Sequence, residues 1–253
     1  MSATVAKEQV RSFWNRTPCG SWDATAAEGT PEYFAQIEAR RYELEPFISR
    51  FAAFRSTRGQ SVLEIGIGLG TDHVQFARAG ARLHGIDLTQ RGVELVSRRL
   101  ELEGLSSDLR VADAETLPFA DDSFDYVYSW GVLHHTPDTP KAVAEAIRVL
   151  RPGGRLCVML YSRHAWVSYG LWFRHGPLSL RPLRSIADVL HHHMESIGTK
   201  GFTKREVRRM FAGVEDLRID KVVTPYDVEY AGGTARLTGR WLGFFMVIRG
   251  LKR

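Results

Sequence analysis

Cysteine is scarce in this chain of 253 residues: only Cys19 and Cys157 occur, far apart, and Cys157 lies within the apolar run 156–160. Two isolated thiols exclude a disulfide framework and a thiolate zinc site, and Cys157 reads as a small core side chain. No run of about 18 apolar residues occurs, so no membrane-spanning helix is expected. The opening MSATVAKEQVRSFW lacks the apolar stretch of a signal peptide. Repeats, low-complexity tracts and Pro/Gly/Ser linkers are missing as well. With 44% apolar and 25% charged residues, what remains is a folded chain of one-domain size, expected in the cytoplasm.

The net charge of +5 is unevenly spread: residues 1–150 carry 16 Lys/Arg against 21 Asp/Glu, and residues 151–253 carry 18 against 8. A C-terminal part at +10 suits nucleic acid, phosphorylated substrates or anionic lipid. Pairs such as Lys204-Arg205 and Arg208-Arg209 read more simply as the solvated face of a helix. No aromatic-and-basic strand platform accompanies the charge, so nucleic acid is not expected as a partner.

What the sequence does contain is an alternation of periods. A helix over residues 3–15 leads into an irregular stretch at 17–22. Thr30 then acts as N-cap and Pro31 opens a longer helix, broken at Pro46, that continues to about residue 54. Residues 61–65 form a short β-branched run cut off by Gly66, the pattern of a buried strand. Strands over 82–86, 109–112, 124–129 and 155–161 alternate with helices over 71–79, 90–103 and 141–150. This α/β order requires right-handed crossovers and a parallel sheet covered on both faces. Beyond residue 161 the alternation lapses. Residues 162–200 are irregular or helical and rich in aromatics and histidine; a helix over 203–211 and strands near 214–223 and 241–248 follow, with at most a turn of helix in 227–238. The last two strands are expected to form an antiparallel hairpin.

The first strand ends in Gly66-Ile67-Gly68-Leu69-Gly70, glycines that let the backbone turn tightly beside a ligand at the carboxyl edge of the sheet. The dinucleotide fingerprint G-x-G-x-x-G is not met, because Thr71 stands where its third glycine belongs. Asp87 ends the second strand, where a carboxylate accepts both hydroxyls of a ribose, or alternatively caps the next helix. Asp113 ends the third strand. No Lys or Arg lies between Arg58 and Arg78, so the loop carries no basic partner for a phosphate.

Taken in order, the stretches VLEIGIGLGTD, GIDLT, VADAETLPFADDSFDYVYS, WGVLHHTPD and RVLRPGGRLCVMLY resemble the class I S-adenosylmethionine-dependent methyltransferases. Among these they are most similar to the small-molecule group of the ubiquinone/menaquinone-biosynthesis and sterol enzymes. The resemblance implies a Rossmann-like seven-stranded sheet in the order 3-2-1-4-5-7-6, its last strand antiparallel, with helices on both faces and a helical cap. It implies that Gly66, Gly68 and Gly70 pass under the methionine part of the cofactor, while Glu64 orders the loop and Asp72 stands on the cofactor side. Asp87 is expected on the ribose, Leu88 on the adenine face, and Asp113 and the Ala114 amide on the adenine edge. Ser129 and Trp130 are expected beside the methionine part, and Arg151-Pro152-Gly153-Gly154 as a turn before the fifth strand. A sulfonium cation with a zwitterionic methionine and no phosphate calls for acceptors and aromatic faces, which these residues supply.

Methyl transfer needs alignment and, when the nucleophile carries a proton, a base. His135, then His134 and Tyr161, are the candidate catalytic residues. Residues 1–58 are expected to close over the cofactor site, with Trp14 on the cleft, and 59–253 to form the methyltransferase domain. Within it, 162–200 forms an aromatic cap whose His164, Trp166, Tyr169 and Trp172 are candidate substrate contacts or ordinary core. His191, His192 and His193 point different ways on a helix, so no metal is expected. The expected reaction is methylation of a heteroatom (O or N) of an apolar or aromatic small molecule by a monomer or homodimer, with S-adenosylhomocysteine as product. C-methylation, with Glu28, Tyr161 and tryptophans around a carbocation, is the alternative; an RNA-directed methyltransferase or a nicotinamide-dependent oxidoreductase ranks lower.

Overall fold

The computed structural model describes residues 3–253, so residues 1 and 2 of the expected closing segment lie outside it. Seven strands form one sheet: β1 (Ser61–Ile65), β2 (Arg82–Asp87), β3 (Asp108–Val111), β4 (Phe124–Trp130), β5 (Leu150–Tyr161), β6 (Val214–Val222) and β7 (Phe245–Lys252). Their order is β3-β2-β1-β4-β5-β7-β6. The first five are parallel, and β7 runs antiparallel to both β5 and β6. This is the order implied by the resemblance.

Eleven α-helices surround the sheet among the described residues. Before the sheet come α1 (Ala3–Arg16), α2 (Pro31–Leu44) and α3 (Ile48–Ala52). The crossovers are α4 (Thr71–Arg78), α5 (Gln90–Leu102) and α6 (Thr139–Arg148). Later come α7 (Trp166–His175), α8 (Ile186–His193), α9 (Lys204–Met210), α10 (Pro225–Ala231) and α11 (Thr234–Leu242). None is long and apolar enough to cross a membrane.

Strand periodicity sorts the core into two layers. Leu63 and Ile65 of β1 face a cluster with Ala142, Val143 and Ala146 of α6 and Val207 of α9. Val62, the residue before Leu63, joins the opposite cluster with Ile48, Phe76, Val167, Leu171, Val189 and Leu190. The cap helices α7 and α8 therefore pack on the same side of the sheet as α3 and α4.

Four expectations are corrected. Residues 227–238 are largely helical rather than one turn, and the last strand starts at Phe245, because Trp241 and Leu242 complete α11 before Gly243 ends it. The stretch 151–154 is a bulge inside β5 instead of a turn before it: Phe124 pairs with Leu150, and the register shifts before Tyr126 pairs with Arg155. The helix expected over 141–150 is α6, set earlier by Asp138, whose side chain accepts from the Lys141 amide at 3.1 Å.

Candidate active site

The turn after β1 is built on glycine. Gly66 has φ of 80°, and a Cβ there would lie 2.2 Å from Val132 Cγ2, so both conformation and space demand its hydrogen. Gly66, Ile67 and Gly68 line a cavity of about 240 Å³ at the carboxyl ends of β1, β2 and β4. Gly70 caps α4 instead of lining that space.

Asp87 ties the loop to β2. Its Oδ2 accepts from the Gly68 amide at 3.0 Å, and its Oδ1 accepts from the Thr89 amide and hydroxyl at 2.9 and 2.7 Å. Burial raises its carboxyl above the ordinary range, against the opposing pull of these bonds. The N-cap of α5 is Thr89, whose hydroxyl accepts from the Gly92 amide, so Asp87 is not a helix cap. Leu88, Asp113 and Ala114 line the same end of the cavity. There Lys7 of α1 reaches across, its Nζ 2.6 Å from both Asp113 Oδ2 and Glu115 Oε2. Desolvation alone would lower that ammonium; the two carboxylates outweigh it and raise it.

At the opposite end, Asp72 accepts from Tyr128 at 2.7 Å and Tyr42 at 2.9 Å, and Glu45 accepts from Trp130 Nε1 at 2.8 Å. Arg41 stands between the two carboxylates with long contacts, 3.3 Å to Glu45 and 3.5 Å to Asp72, and its buried Nε has no partner. Glu64, buried beneath the loop, lies 2.9 Å from His73 Nδ1. Ser107 donates to the Leu83 carbonyl, so His73 Nε2–H donates to Ser107 Oγ at 2.9 Å and Nδ1 is left as an acceptor. The Glu64 carboxyl is accordingly protonated. Burial, then Asp72, pushes it well above the ordinary range, and burial, then His84, lowers His73 to about 3. The two form a neutral pair.

His135 stands where the chain turns away from β4. Its Nδ1 lies 2.9 Å from Ser196 Oγ and 3.0 Å from Thr199 Oγ1. Thr199 gives its proton to the Ser196 carbonyl at 2.6 Å, so its oxygen faces Nδ1 with a lone pair, while the Ser196 hydroxyl can donate or accept there. Nε2 is 3.4 Å from Glu195 Oε2, which also accepts from Tyr161 at 3.1 Å. Desolvation would raise the Glu195 carboxyl, but the His135 bond and charge, then Tyr161 and Arg41, outweigh it and hold it below the ordinary range. Trp14 closes this side, its ring edge-on to His135 at 5.2 Å.

The tertiary structure thus gathers Trp14, Glu64, Gly66, Gly68, Asp72, Asp87, Leu88, Asp113, Ala114, Trp130, His135 and Tyr161 on one cavity. Others named from the sequence stand elsewhere. Ser129 is fully buried and donates to the Ile65 carbonyl at 3.0 Å. Trp166 bonds Thr238, Trp172 the Arg184 carbonyl, and His164 the Tyr169 hydroxyl. Between residues 162 and 194 nothing lines the cavity: α7 turns Val167, Ser168 and Leu171 into the core, Trp172 packs partly against the same cluster, and Phe173 is exposed. Glu28 pairs with Arg91 away from the site. His191, His192 and His193 end α8, and no group of side chains among the described residues is arranged to hold a metal.

His134 also stands apart: it is fully buried beneath Tyr161, ring centroids 3.8 Å apart, and neither ring nitrogen has a partner. Burial, then His135 and Lys200, holds its imidazole well below the ordinary range. An unfolded histidine binds a proton below about pH 6.5 while folded His134 does not. Its contribution to stability is therefore complete above that pH and is lost below it by about 1.4 kcal/mol per pH unit. His73 acts in the same direction, but protonated Glu64 acts in the opposite one, so that pair largely cancels. Denaturant unfolding at about pH 5 and pH 7 should show a smaller pH dependence in His134→Leu than in the parent; equal dependence would mean that His134 charges within the fold.

Sequence reasoning missed Lys7, Arg41, Glu45, Glu195 and Tyr226, all on the cavity wall. Arg41 and Glu45 were readable as an i,i+4 ion pair, but nothing local marks their pairing as part of a site. Besides protonated Glu64, the lining holds six Asp and Glu side chains against Lys7 and Arg41, together with Trp14, Trp130 and Tyr161. Such a wall suits a ligand with cationic groups and hydroxyls and no phosphate, and it fits S-adenosylmethionine.

Sheet order and glycine loop are those of the Rossmann-like methyltransferase fold, and residues 63–158 match the family model described as "Methyltransferase domain". The chain is 36% identical over 153 residues to phosphoethanolamine N-methyltransferase 2 of Caenorhabditis elegans, covering 56% of this chain and 33% of that protein. It is 39% identical over 103 residues to methyltransferase GfsG of Streptomyces halstedii, covering 40% and 37%. It thus spans about a third of the length of these curated relatives. Magnesium protoporphyrin IX methyltransferase from Synechocystis PCC 6803, solved with S-adenosylmethionine bound, superposes with a TM-score of 0.63 over 98% of this chain and 97% of that one, at 15% identity.

Proposed function

We propose that this chain transfers the methyl group of S-adenosylmethionine to a heteroatom of a small molecule with an apolar or aromatic body. The observation that carries this reading is His135 on the cavity wall, its Nδ1 anchored by Ser196 and Thr199 and its Nε2 3.4 Å from Glu195 Oε2.

When bound, the cofactor supplies an electrophilic methyl on a sulfonium, so transfer is an in-line displacement that breaks a carbon–sulfur bond. Asp87 and Asp113 hold the nucleoside end, and Arg41, with its unpartnered Nε, is the candidate for the carboxylate of the methionine part. His135 takes the proton from the acceptor O–H or N–H as the new bond to carbon forms, and Glu195 stabilises the imidazolium. Trp14, Trp130 and Tyr161 exclude water and favour positive charge. Residues 1–58 serve as the closing segment; Lys7, Val10 and Trp14 on the cavity support that reading. The proposed setting is the cytoplasm, as a monomer or homodimer.

Calorimetric titration is expected to show binding of S-adenosylmethionine and none of NAD; the reverse preference would sink the assignment. A panel of small amines and phenols with methyl-labelled cofactor then identifies the acceptor class, and label appearing only on carbon would replace the heteroatom reading with C-methylation.

A further inference from the structure

The connection between α7 and α8 uses its apolar residues in an unusual way. Phe173, Leu178, Leu180 and Leu183 are 53, 66, 91 and 98% exposed within eleven consecutive residues. The segment is ordered by its own bonds: the amides of Leu180 and Arg181 donate to the carbonyls of Pro177 and Gly176 at 3.1 and 2.8 Å. Trp172 Nε1 fixes its far end by donating to the Arg184 carbonyl at 2.8 Å. Leu180 itself has φ of 57°, a left-handed conformation that a bulky side chain rarely adopts, and its side chain is left almost wholly in solvent. The fold holds this leucine outward and gains no packing from it.

Charge within the segment itself has one sign. Arg174, Arg181 and Arg184 lie in the segment, and no Asp or Glu occurs between Phe173 and Ala187. Arg184 pairs with Asp188, whereas Arg174 and Arg181 have no acidic partner among the described residues. The tip belongs to the C-terminal part that carries a charge of +10, an excess that the cavity does not use.

We propose that the 173–184 tip is a docking site for an anionic lipid bilayer surface. A projecting loop with leucines at its apex and arginines at its flanks matches a membrane interface, where the apolar tips enter the acyl boundary while guanidinium groups meet phosphates. A protein partner would have to offer a deep apolar groove rimmed with acid, and the bilayer supplies both features without a specific fit. The inference goes beyond the methyltransferase reading and does not depend on it.

The test is co-sedimentation of the full chain with vesicles of phosphatidylcholine alone and of phosphatidylcholine mixed with phosphatidylglycerol. Binding is expected to the mixed vesicles, to weaken with salt, and to fall at least about tenfold in the double variant Leu180→Ser, Leu183→Ser, whose side chains support no core. Arg174→Gln with Arg181→Gln should remove the preference for anionic vesicles. Circular dichroism and cofactor affinity should match the parent in both variants. No binding to mixed vesicles, or equal binding by parent and leucine variant, overturns the proposal. So does a parent self-association that the leucine variant abolishes without any vesicle binding, since the tip would then be a protein contact.

Discussion

His135→Ala is expected to lower turnover by about 100-fold or more while leaving cofactor affinity unchanged, the range for a lost general base. The specificity of that outcome comes from where the residue stands. His135 lines the cavity wall, and its anchors Ser196 and Thr199 belong to the segment after α8. Removing the ring deletes the proton acceptor without touching Asp87, Asp113 or the glycine loop. Glu195→Gln should fall between the parent and the alanine variant, because it keeps the shape but loses the charge that stabilises the imidazolium, and it should move the acidic limb of the pH–rate profile. Turnover in His135→Ala equal to the parent from about pH 6 to pH 9 would assign the proton to another group, or show that the acceptor needs no base.

The second large effect is expected at Asp87. Asp87→Ala should weaken S-adenosylmethionine binding by about 1–3 kcal/mol through lost acceptors for the ribose hydroxyls, or roughly 5- to 150-fold. The structure adds a second route to the same loss, because Asp87 Oδ2 also holds the Gly68 amide at 3.0 Å. Asp87→Asn keeps one acceptor oxygen and should lose less. Calorimetric titration of both variants separates the cases: parental affinity in the alanine variant would remove Asp87 from the cofactor site and leave it as a brace for Gly68 and Thr89.

The sequence by itself determined the sheet and the residues along its carboxyl edge. Short β-branched strands ending in glycine or aspartate alternate with helices, and that period fixes a covered parallel sheet whose carboxyl edge carries Glu64, Gly66, Asp87 and Asp113. These residues are legible because strand, turn and helix are local, and each side chain sits within a few residues of the signal that places it. The cap was not legible in the same way. Trp166, Tyr169 and Trp172 read as a helical stripe, but which face of α7 turns inward depends on how the chain leaves β5. The structure chooses Val167, Ser168 and Leu171. The acid beside His135 was equally hidden, since Glu195 lies sixty residues further along an aperiodic stretch and meets it only when α7 and α8 pack against β5. Arg41 and Lys7 entered from helices ahead of the sheet for the same reason. Local pattern determines elements and their ends, whereas the meeting of side chains from distant elements is decided by which apolar faces bury together, and only the folded chain shows that.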